Sequence, residues 1–483
     1  MNYKLKEDIY LRGWELLPTG LVRRHSRKVA FLPPAVYRAL RKALDGICAD
    51  SVLLSPDEQR VLKDLAKAGI LEECDSPVPL TEQQKYRVYP NRYLYAVHWA
   101  ITGRCNARCR HCYMSAPTRM DALVLAHAND EQPLRQPHGN IDEFSHEDCM
   151  EIVRQMEAAG VRTVTLTGGE ALVRRDFFEI VDALLAAGIL VTTVMSNGLL
   201  VNEKILGEFE QRGIKPEFSI SFDGVGWHDW LRGVAGAEKA AERAFSLCRE
   251  RGFATSAEYC LHRGNLGALR ESVKFLASLG VSSLKVNRLS LEGEAAGIAD
   301  YAISCEEEYQ AYLDYIPQFY EDGKPLDLML SGFFYYHDGK HRSGSVKNRE
   351  EQDCGDYCLC GHARNYMYIT PEGFMVPCIA MGSSEGGKRH FPNIHETTIA
   401  AALRDSRYMG FIDTRLRDYF AHNPGCAVCQ YKNRCAGGCR GHVAAEGGGD
   451  DLLARDEDTC RFFREGWYDK LNALMESIEK GDK

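Results

Sequence analysis

Cys105, Cys109 and Cys112 stand in the run Cys105-Asn106-Ala107-Arg108-Cys109-Arg110-His111-Cys112. A loop with thiols at this spacing must close around whatever those thiols ligate. A cubic iron–sulfur cluster has four irons and takes thiolates as its protein ligands, so three cysteines leave one iron open to chelate a small molecule. A zinc site lacking its fourth ligand, a redox thiol pair, and chance spacing in a chain with 18 cysteines are the other readings of the triplet taken alone.

At 483 residues the chain is too long for one ordinary core, and two or three domains are expected. Its net charge of -9 carries no basic excess of the kind that points to nucleic acid. No apolar stretch approaches the roughly 20 residues needed to cross a bilayer, and the start Met1-Asn2-Tyr3-Lys4-Leu5-Lys6-Glu7-Asp8 lacks the apolar segment of a secretory signal. The expected location is the cytoplasm, where clustered cysteines are poor disulfide partners and good metal ligands.

After the triplet, strands alternate with helices. A strand over 95–101 leads into the cysteine loop. Ser145, with Asp148 three residues on, starts a helix; Ile152, Val153, Met156 and Ala159 follow at helical spacing and Gly160 ends it. The next strand, 161–166, turns through Thr167-Gly168-Gly169-Glu170 into a helix carrying Phe177, Phe178, Ile180 and Val181. Further strands are expected at 190–194, 217–222, 254–261 and 283–289, with helices between them such as 266–279. Six parallel strands with intervening helices make a partial (β/α)6 TIM-like barrel, an α/β fold whose chemistry gathers at the strand C-terminal ends.

These residues together resemble the radical S-adenosylmethionine (SAM) superfamily, in which C-x3-C-x2-C has an aromatic before its last cysteine, the place His111 holds. The resemblance implies a 4Fe-4S cluster on Cys105, Cys109 and Cys112, with the amine and carboxylate of SAM closing the fourth iron. One electron then cleaves SAM to a 5′-deoxyadenosyl radical. It further implies that Gly168-Gly169-Glu170 receives the SAM amino group through Glu170 and that Ser196-Asn197-Gly198 meets the ribose. Ser221-Phe222-Asp223-Gly224, running on through His228-Asp229 to Arg232-Gly233, would add SAM contacts at Ser221 and Arg232. Read without that family, Gly168-Gly169 is also a plain turn and Arg232 a solvated loop charge.

The strongest signal lies further on. Cys360 and Cys378 bracket Gly373 as C-x12-G-x4-C, then Cys426, Cys429, Cys435 and Cys439 read C-x2-C-x5-C-x3-C, and Cys460 follows. A pair of zinc ribbons is the alternative. The order resembles the SPASM domain, a C-terminal extension of radical SAM enzymes with two auxiliary clusters. That resemblance implies an outer cluster on Cys426, Cys429, Cys435 and Cys460, and an inner one on Cys360, Cys378 and Cys439 plus one upstream residue. Cys354 has the spacing for the fourth inner ligand. Cys358 could replace it, stay free as a thiol near the site, or simply be buried.

The first 90 residues stand apart, with strands near 4–11 and 20–32, a helix from Pro33 and another opened by Ser55-Pro56-Asp57-Glu58. This is expected to be a small winged-helix-like α+β domain, and its position resembles the PqqD-like element with which peptide-maturing radical SAM enzymes grip a precursor's leader. Residues 1–90 hold 15 Lys and Arg against 12 Asp and Glu, a net of +3, so an acidic leader is expected beside Arg23, Arg24, Arg27 and Lys28. Such a run is also a solvated turn. The implied domain order is 1–90 recognition, 91–295 barrel, 296–350 bridge and 351–483 SPASM with a C-terminal helix.

Residues 115–144 read as a long loop or lid, or as disorder. Ser304 and Glu307 open a bridging helix whose Tyr309, Tyr312 and Ile316 are packing residues. The run Phe462, Phe463, Trp467, Leu471, Leu474, Ile478 is a helical packing face. The implied activity is radical modification of a ribosomally made precursor peptide, a thioether crosslink ahead of a carbon–carbon one. SAM and three 4Fe-4S clusters would be the cofactors and a flavodoxin or ferredoxin the low-potential reductant. Peptide epimerisation, with Cys358 or another thiol returning a hydrogen atom, is one alternative. Formylglycine generation on a sulfatase is another, though relatives of that kind place an acid after the second cysteine of C-x12-G-x4-C, where Ile379 stands here. A multi-cluster electron carrier is the alternative from another class.

Overall fold

Three helices begin where the sequence places a capping box. In the computed structural model, which describes residues 2–24, 26, 29–114, 144–347, 354–446 and 451–481, Ser55 with Glu58, Ser145 with Asp148, and Ser304 with Glu307 each exchange side-chain bonds with backbone N–H groups. These bonds satisfy donors that an opening helical turn leaves unpaired. Gly160 ends the second of the three at φ 76°, in the left-handed region that suits glycine.

The N-terminal module contains β1 (Asn2–Leu5), β2 (Ile9–Glu15), β3 (Leu17–Arg23), β4 (Val29–Phe31), α1 (Pro34–Leu44), α2 (Pro56–Lys67), β5 (Leu71–Cys74) and β6 (Arg87–Arg92). The run 4–11 divides between β1 and β2 because β1 pairs antiparallel with β5, while β2 joins a four-stranded sheet in the order β4, β3, β2, β6. Tyr3, Leu5, Leu11, Leu40 and Leu62 are buried together between strands and helices. β6 runs parallel to β2 and leads toward the barrel. There the Trp14 indole and the Asn91 amide both donate to the Ala159 carbonyl, at 3.3 and 3.0 Å, satisfying a helix-end acceptor and docking the module.

The barrel strands are β7 (Ala96–Ala100), β8 (Thr163–Thr167), β9 (Leu190–Ser196), β10 (Glu217–Ser221), β11 (Thr255–Leu261) and β12 (Ser283–Arg288), parallel and adjacent in chain order. The covering helices are α3 (His146–Ala159), α4 (Phe177–Ala186), α5 (Glu203–Gln211), α6 (His228–Arg232), α7 (Ala237–Glu250), α8 (Leu269–Ser278) and α9 (Cys305–Glu321). Val164, Leu166, Ile220, Ala257, Leu284 and Val286 are buried in one core with helical Ile152, Ile180, Leu206 and Leu276. Since side chains alternate along a strand, Thr165, Ser219, Ser221, Glu258 and Asn287 face the barrel interior.

The sheet is wider than six strands. β13 (Asp327–Leu330) adds parallel to β12 and is followed by the hairpin β14 (Phe334–His337) and β15 (Lys340–Ser343). At the other end, β16 (Tyr366–Ile369) adds parallel to β7 and carries β17 (Met375–Val376). The cysteine-rich region therefore shares a sheet with the strand that feeds the first cysteine loop. The C-terminal run is two helices, Glu457–Arg464 and Trp467–Gly481, parted at Gly466 (φ 78°). Phe462 and Trp467 each pack 5.7 Å from Tyr309 of α9, the packing role expected of all three. The expected lid at 115–144 lies outside the described residues except for Phe144, which is buried near Trp99. Among the described residues no helix is long and apolar enough to cross a membrane.

Candidate functional site

Cys105, Cys109 and Cys112 follow the C-terminal end of β7 on an irregular loop, and three backbone seams hold that loop in place. Gly169 N donates to Thr102 O at 2.9 Å and Glu170 N to Arg104 O at 2.8 Å. Arg108 N donates to Arg232 O at 3.0 Å and Arg110 N to Leu231 O at 2.8 Å; Glu294 N donates to Cys112 O at 2.9 Å. Glycine is required at two seams, because a Cβ would sit 2.3 Å from Arg104 O at position 169 and 2.2 Å from Arg108 O at position 233. The close approach at Gly169 is to the cysteine loop itself.

Side chains tie the strand ends into one buried network. Glu170 accepts from Ser196 Oγ at 3.1 Å, from Asn197 N at 2.7 Å and from Leu172 N at 3.3 Å. Burial still pushes its carboxyl up to about 7 against those bonds. Asn197 Nδ2 donates to Asn106 Oδ1 at 2.7 Å and lies 3.7 Å from Cys105 Sγ. Arg232 is no solvated loop charge. It is 13% exposed, holds Asp223 at 2.7 and 3.2 Å, and places Nη1 3.7 Å from Cys109 Sγ. Burial alone would raise the Asp223 carboxyl, but Arg232 and His228 outweigh it and hold it far below the usual carboxylate range. Ser221 ends β10. His111, His228 and His262 gather near Arg232 and Asp223, and His111 is driven down to about 4, first by burial and then by Arg232.

Of the later cysteines, Cys426, Cys429, Cys435 and Cys460 line a single cavity with Tyr419 and Phe463. Cys378 Sγ and Cys439 Sγ both lie 3.6 Å from where a Cβ on Gly441 would stand. Lys347 is half-buried near Cys439, Cys360 and Cys435, and its ammonium donates to Gly438 O at 2.6 Å and Ala436 O at 3.4 Å. Cys354 is buried beside Leu359, Leu416 and Tyr419. Cys358 is met by Arg364 and, at 3.2 Å, by Arg415 Nη1. Among the described residues no three His, Cys, Asp or Glu side chains converge tightly enough for a single metal ion.

The family model "Radical SAM superfamily" matches residues 99–276, the strands and loops just described, and the model "Iron-sulfur cluster-binding domain", SPASM, matches residues 358–430. The chain carries a radical SAM domain and a SPASM domain. It is a radical SAM/SPASM enzyme, and its two domains indicate SAM and iron–sulfur clusters as cofactors. Relatives of this radical SAM/SPASM enzyme include the AdoMet-dependent heme synthase of Nitratidesulfovibrio vulgaris, 25% identical over 76% of this chain and 92% of the relative. The PqqA peptide cyclase of Granulibacter bethesdensis is 22% identical over 73% and 84%. Among solved structures, Streptococcus suis SuiB bound to precursor peptide SuiA aligns with TM-score 0.59 at 14% identity, covering 95% of this chain and 99% of that one. The anSMEcpe structure with bound AdoMet and Cp18Cys peptide aligns with TM-score 0.52 at 15% identity, covering 79% and 99%.

The residues of this radical SAM/SPASM enzyme fit its cofactors. Buried His111 Nδ1, His228 Nε2 and His262 Nε2 have no hydrogen-bond partner among the described residues, as expected of a wall that receives a polar nucleoside. Glu170 is a desolvated carboxylate suited to an ammonium. For the clusters, the fit lies in the cavity walled by four thiols and in Lys347, a half-buried cation set against thiols that would carry negative charge. His228, His262 and Lys347 were not singled out from sequence as site residues. His228 sits inside the quoted His-Asp-x-x-Arg pattern, His262 follows the last residue of β11, and Lys347 is brought to the cysteines only by the tertiary fold.

Proposed function

We propose that this radical SAM/SPASM enzyme matures a ribosomally made precursor peptide, installing a thioether crosslink in first place and a carbon–carbon crosslink in second. The N-terminal module carries the reading. The SuiB alignment spans 95% of this chain, so most of residues 1–90 have a counterpart there, whereas the heme synthase alignment spans 76%. In this reading residues 1–90 are the PqqD-like leader-recognition domain, 91–295 the barrel, 296–350 the bridge and 351–483 the auxiliary-cluster domain, in a cytoplasmic protein.

Cys105, Cys109 and Cys112 would hold the SAM-binding cluster, Cys354, Cys360, Cys378 and Cys439 the inner auxiliary one, and Cys426, Cys429, Cys435 and Cys460 the outer. Cys354 is taken as the fourth inner ligand on its spacing before Cys360, and Cys358, with Arg364 and Arg415 on its sulfur, is the alternative. When bound, the first cluster and SAM supply a 5′-deoxyadenosyl radical, with electrons from a flavodoxin or ferredoxin. His111, Gly168, Gly169, Glu170, Ser196, Asn197, Ser221 and Arg232 would surround SAM. Glu170 takes its ammonium, Asn197 and Arg232 orient the Cys105 and Cys109 sulfurs, and the buried walls keep water out.

Leader capture would add a strand to an open sheet edge. β4 is such an edge, with Phe31 partly exposed and Arg24 in the preceding turn. Arg23 is otherwise engaged, bound to Asp8 at 2.9 Å and to Gly69 O at 3.0 Å, while Arg27 and Lys28 lie outside the described residues. Ile379 after Cys378 speaks against formylglycine generation.

The test is anaerobic reconstitution with SAM, reductant and the short peptide encoded beside the gene. A peptide lighter by two hydrogens per crosslink is expected. An unchanged peptide, with turnover of an iron porphyrin instead, would move the assignment to the chemistry of the heme synthases.

A further inference from the structure

Joining a carbon to a second peptide atom X removes two hydrogens from the substrate. One leaves as a hydrogen atom to the 5′-deoxyadenosyl radical. When X then bonds to the carbon radical, the X–H pair would stay on X and two of the three electrons would form the C–X bond, the third being the one an oxidised auxiliary iron–sulfur cluster, held by the later cysteines, would accept. The proton needs an acceptor on the chain.

Strands β7 to β13 contain three carboxylates: Glu217, Glu258 and Asp327. Glu217 and Asp327 open their strands, at the end of the barrel away from the cysteine loop. Glu258 is near the other end, in register with Ser221, the last residue of β10. Its side chain is on the interior face and 29% exposed. Asn287 Nδ2 donates to Glu258 Oε2 at 3.0 Å and Lys285 Nζ lies 3.5 Å from the same oxygen. Ser331 Oγ donates to Asn287 Oδ1 at 2.8 Å, which sets the amide so that its Nδ2 points at Glu258. Both contacts therefore fall on one carboxylate oxygen, and among the described residues Oε1 is left for a substrate. Of the carboxylates after β8 and β10, Glu170 is buried and assigned to the SAM ammonium and Asp223 is buried and held by Arg232, and the position after Cys378 is Ile379.

We propose that Glu258, steadied by Lys285 and Asn287 in the barrel interior, accepts through Oε1 the proton released from X as the crosslink forms; this rests on the peptide-maturase reading. Glu258 is a catalytic residue in this scheme, and Lys285 and Asn287 are positioning residues.

The experiment uses the full reconstituted chain and the peptide encoded beside its gene, deuterated at its carbon-bound hydrogens. The unsubstituted enzyme should move deuterium into 5′-deoxyadenosine and form product in step with it. Glu258→Gln should keep the deuterium transfer while product per 5′-deoxyadenosine falls by about 100-fold, the ordinary scale of a general base. Glu258→Asp should recover part of the coupling. Wild-type coupling in Glu258→Gln would overturn the proposal, and so would loss of deuterium transfer, which would make Glu258 a binding or structural residue. If the unsubstituted enzyme transfers no deuterium from the peptide, the maturase reading itself fails.

Discussion

Arg232 grips the Asp223 carboxylate through Nε at 2.7 Å and Nη2 at 3.2 Å, and its remaining nitrogen lies 3.7 Å from the Cys109 sulfur. The backbone carbonyl of the same arginine accepts from Arg108 N. One residue thus braces the cysteine loop by its main chain, one cysteine by its side chain, and the turn after β10 through Asp223. Arg232→Met leaves a buried carboxylate without its cation, a loss of about 3–5 kcal/mol. Chemical denaturation of the metal-free protein should show that loss, and Arg232→Lys should recover only part of it, because an ammonium cannot span both carboxylate oxygens and a sulfur as a guanidinium does.

Gly169→Ala and Gly233→Ala should spoil one centre and spare the others. A Cβ at either position meets a carbonyl oxygen of the cysteine loop, while the cavity at Cys426, Cys429, Cys435 and Cys460 is lined by residues 419–464. Reconstituted variants should carry about four fewer irons per chain than the parent, one cluster's worth, read by iron assay and by loss of the SAM-responsive electron paramagnetic resonance signal.

Glu170 makes the metal-free protein less stable as pH rises. Its folded carboxyl, pushed up to about 7 by burial, holds a proton that the unfolded chain releases near its ordinary value. The stability is full below that ordinary value and is lost as pH rises to about 7. Between pH 5.5 and pH 8 the loss from this group is about 2 kcal/mol. Urea unfolding at the two pH values should show it, and Glu170→Gln should flatten the difference.

Lys347→Met should lower the potential of an auxiliary cluster by tens of millivolts. The half-buried Lys347 ammonium lies near Cys439, Cys360 and Cys435, and removing a nearby positive charge favours the oxidised, less negative cluster. A redox titration followed by electron paramagnetic resonance reads the shift.

Arg24→Glu and Phe31→Asp should each weaken leader binding by about tenfold, or 1.4 kcal/mol, with SAM cleavage in the absence of peptide unchanged. Fluorescence anisotropy of a labelled leader peptide measures the first effect and a 5′-deoxyadenosine assay the second.

Much of the scaffold was legible because local signals act alone. Ser145 with Asp148, Ser304 with Glu307 and Gly160 mark helix ends by satisfying or redirecting the backbone within one turn, and β7 to β12 are runs whose apolar residues bury against helices. β13 was missed because its four residues Asp327–Leu330 pair only after α9 returns the chain to β12, and β16 because its partner β7 lies far away in sequence. In the site, the cysteine spacings and the turns after β8, β9 and β10 were readable. The purpose of Gly169 was not, since its near neighbour is Arg104 O across a tertiary seam. Arg232 looked like an exposed charge for a similar reason: its partners, Asp223 and Cys109, meet it only when α6 folds against the cysteine loop. The turn that splits 4–11 into β1 and β2 depends likewise on β5, which arrives after two helices.

The most direct test of the central claim is to mix the reduced, oxygen-free enzyme with SAM and follow both the resonance signal of the N-terminal cluster and the nucleoside products. The expected result is a change in that signal on SAM addition together with 5′-deoxyadenosine, both lost in a Cys105→Ala, Cys109→Ala, Cys112→Ala variant. A signal indifferent to SAM with no 5′-deoxyadenosine formed, in protein whose iron content shows all sites filled, would contradict it.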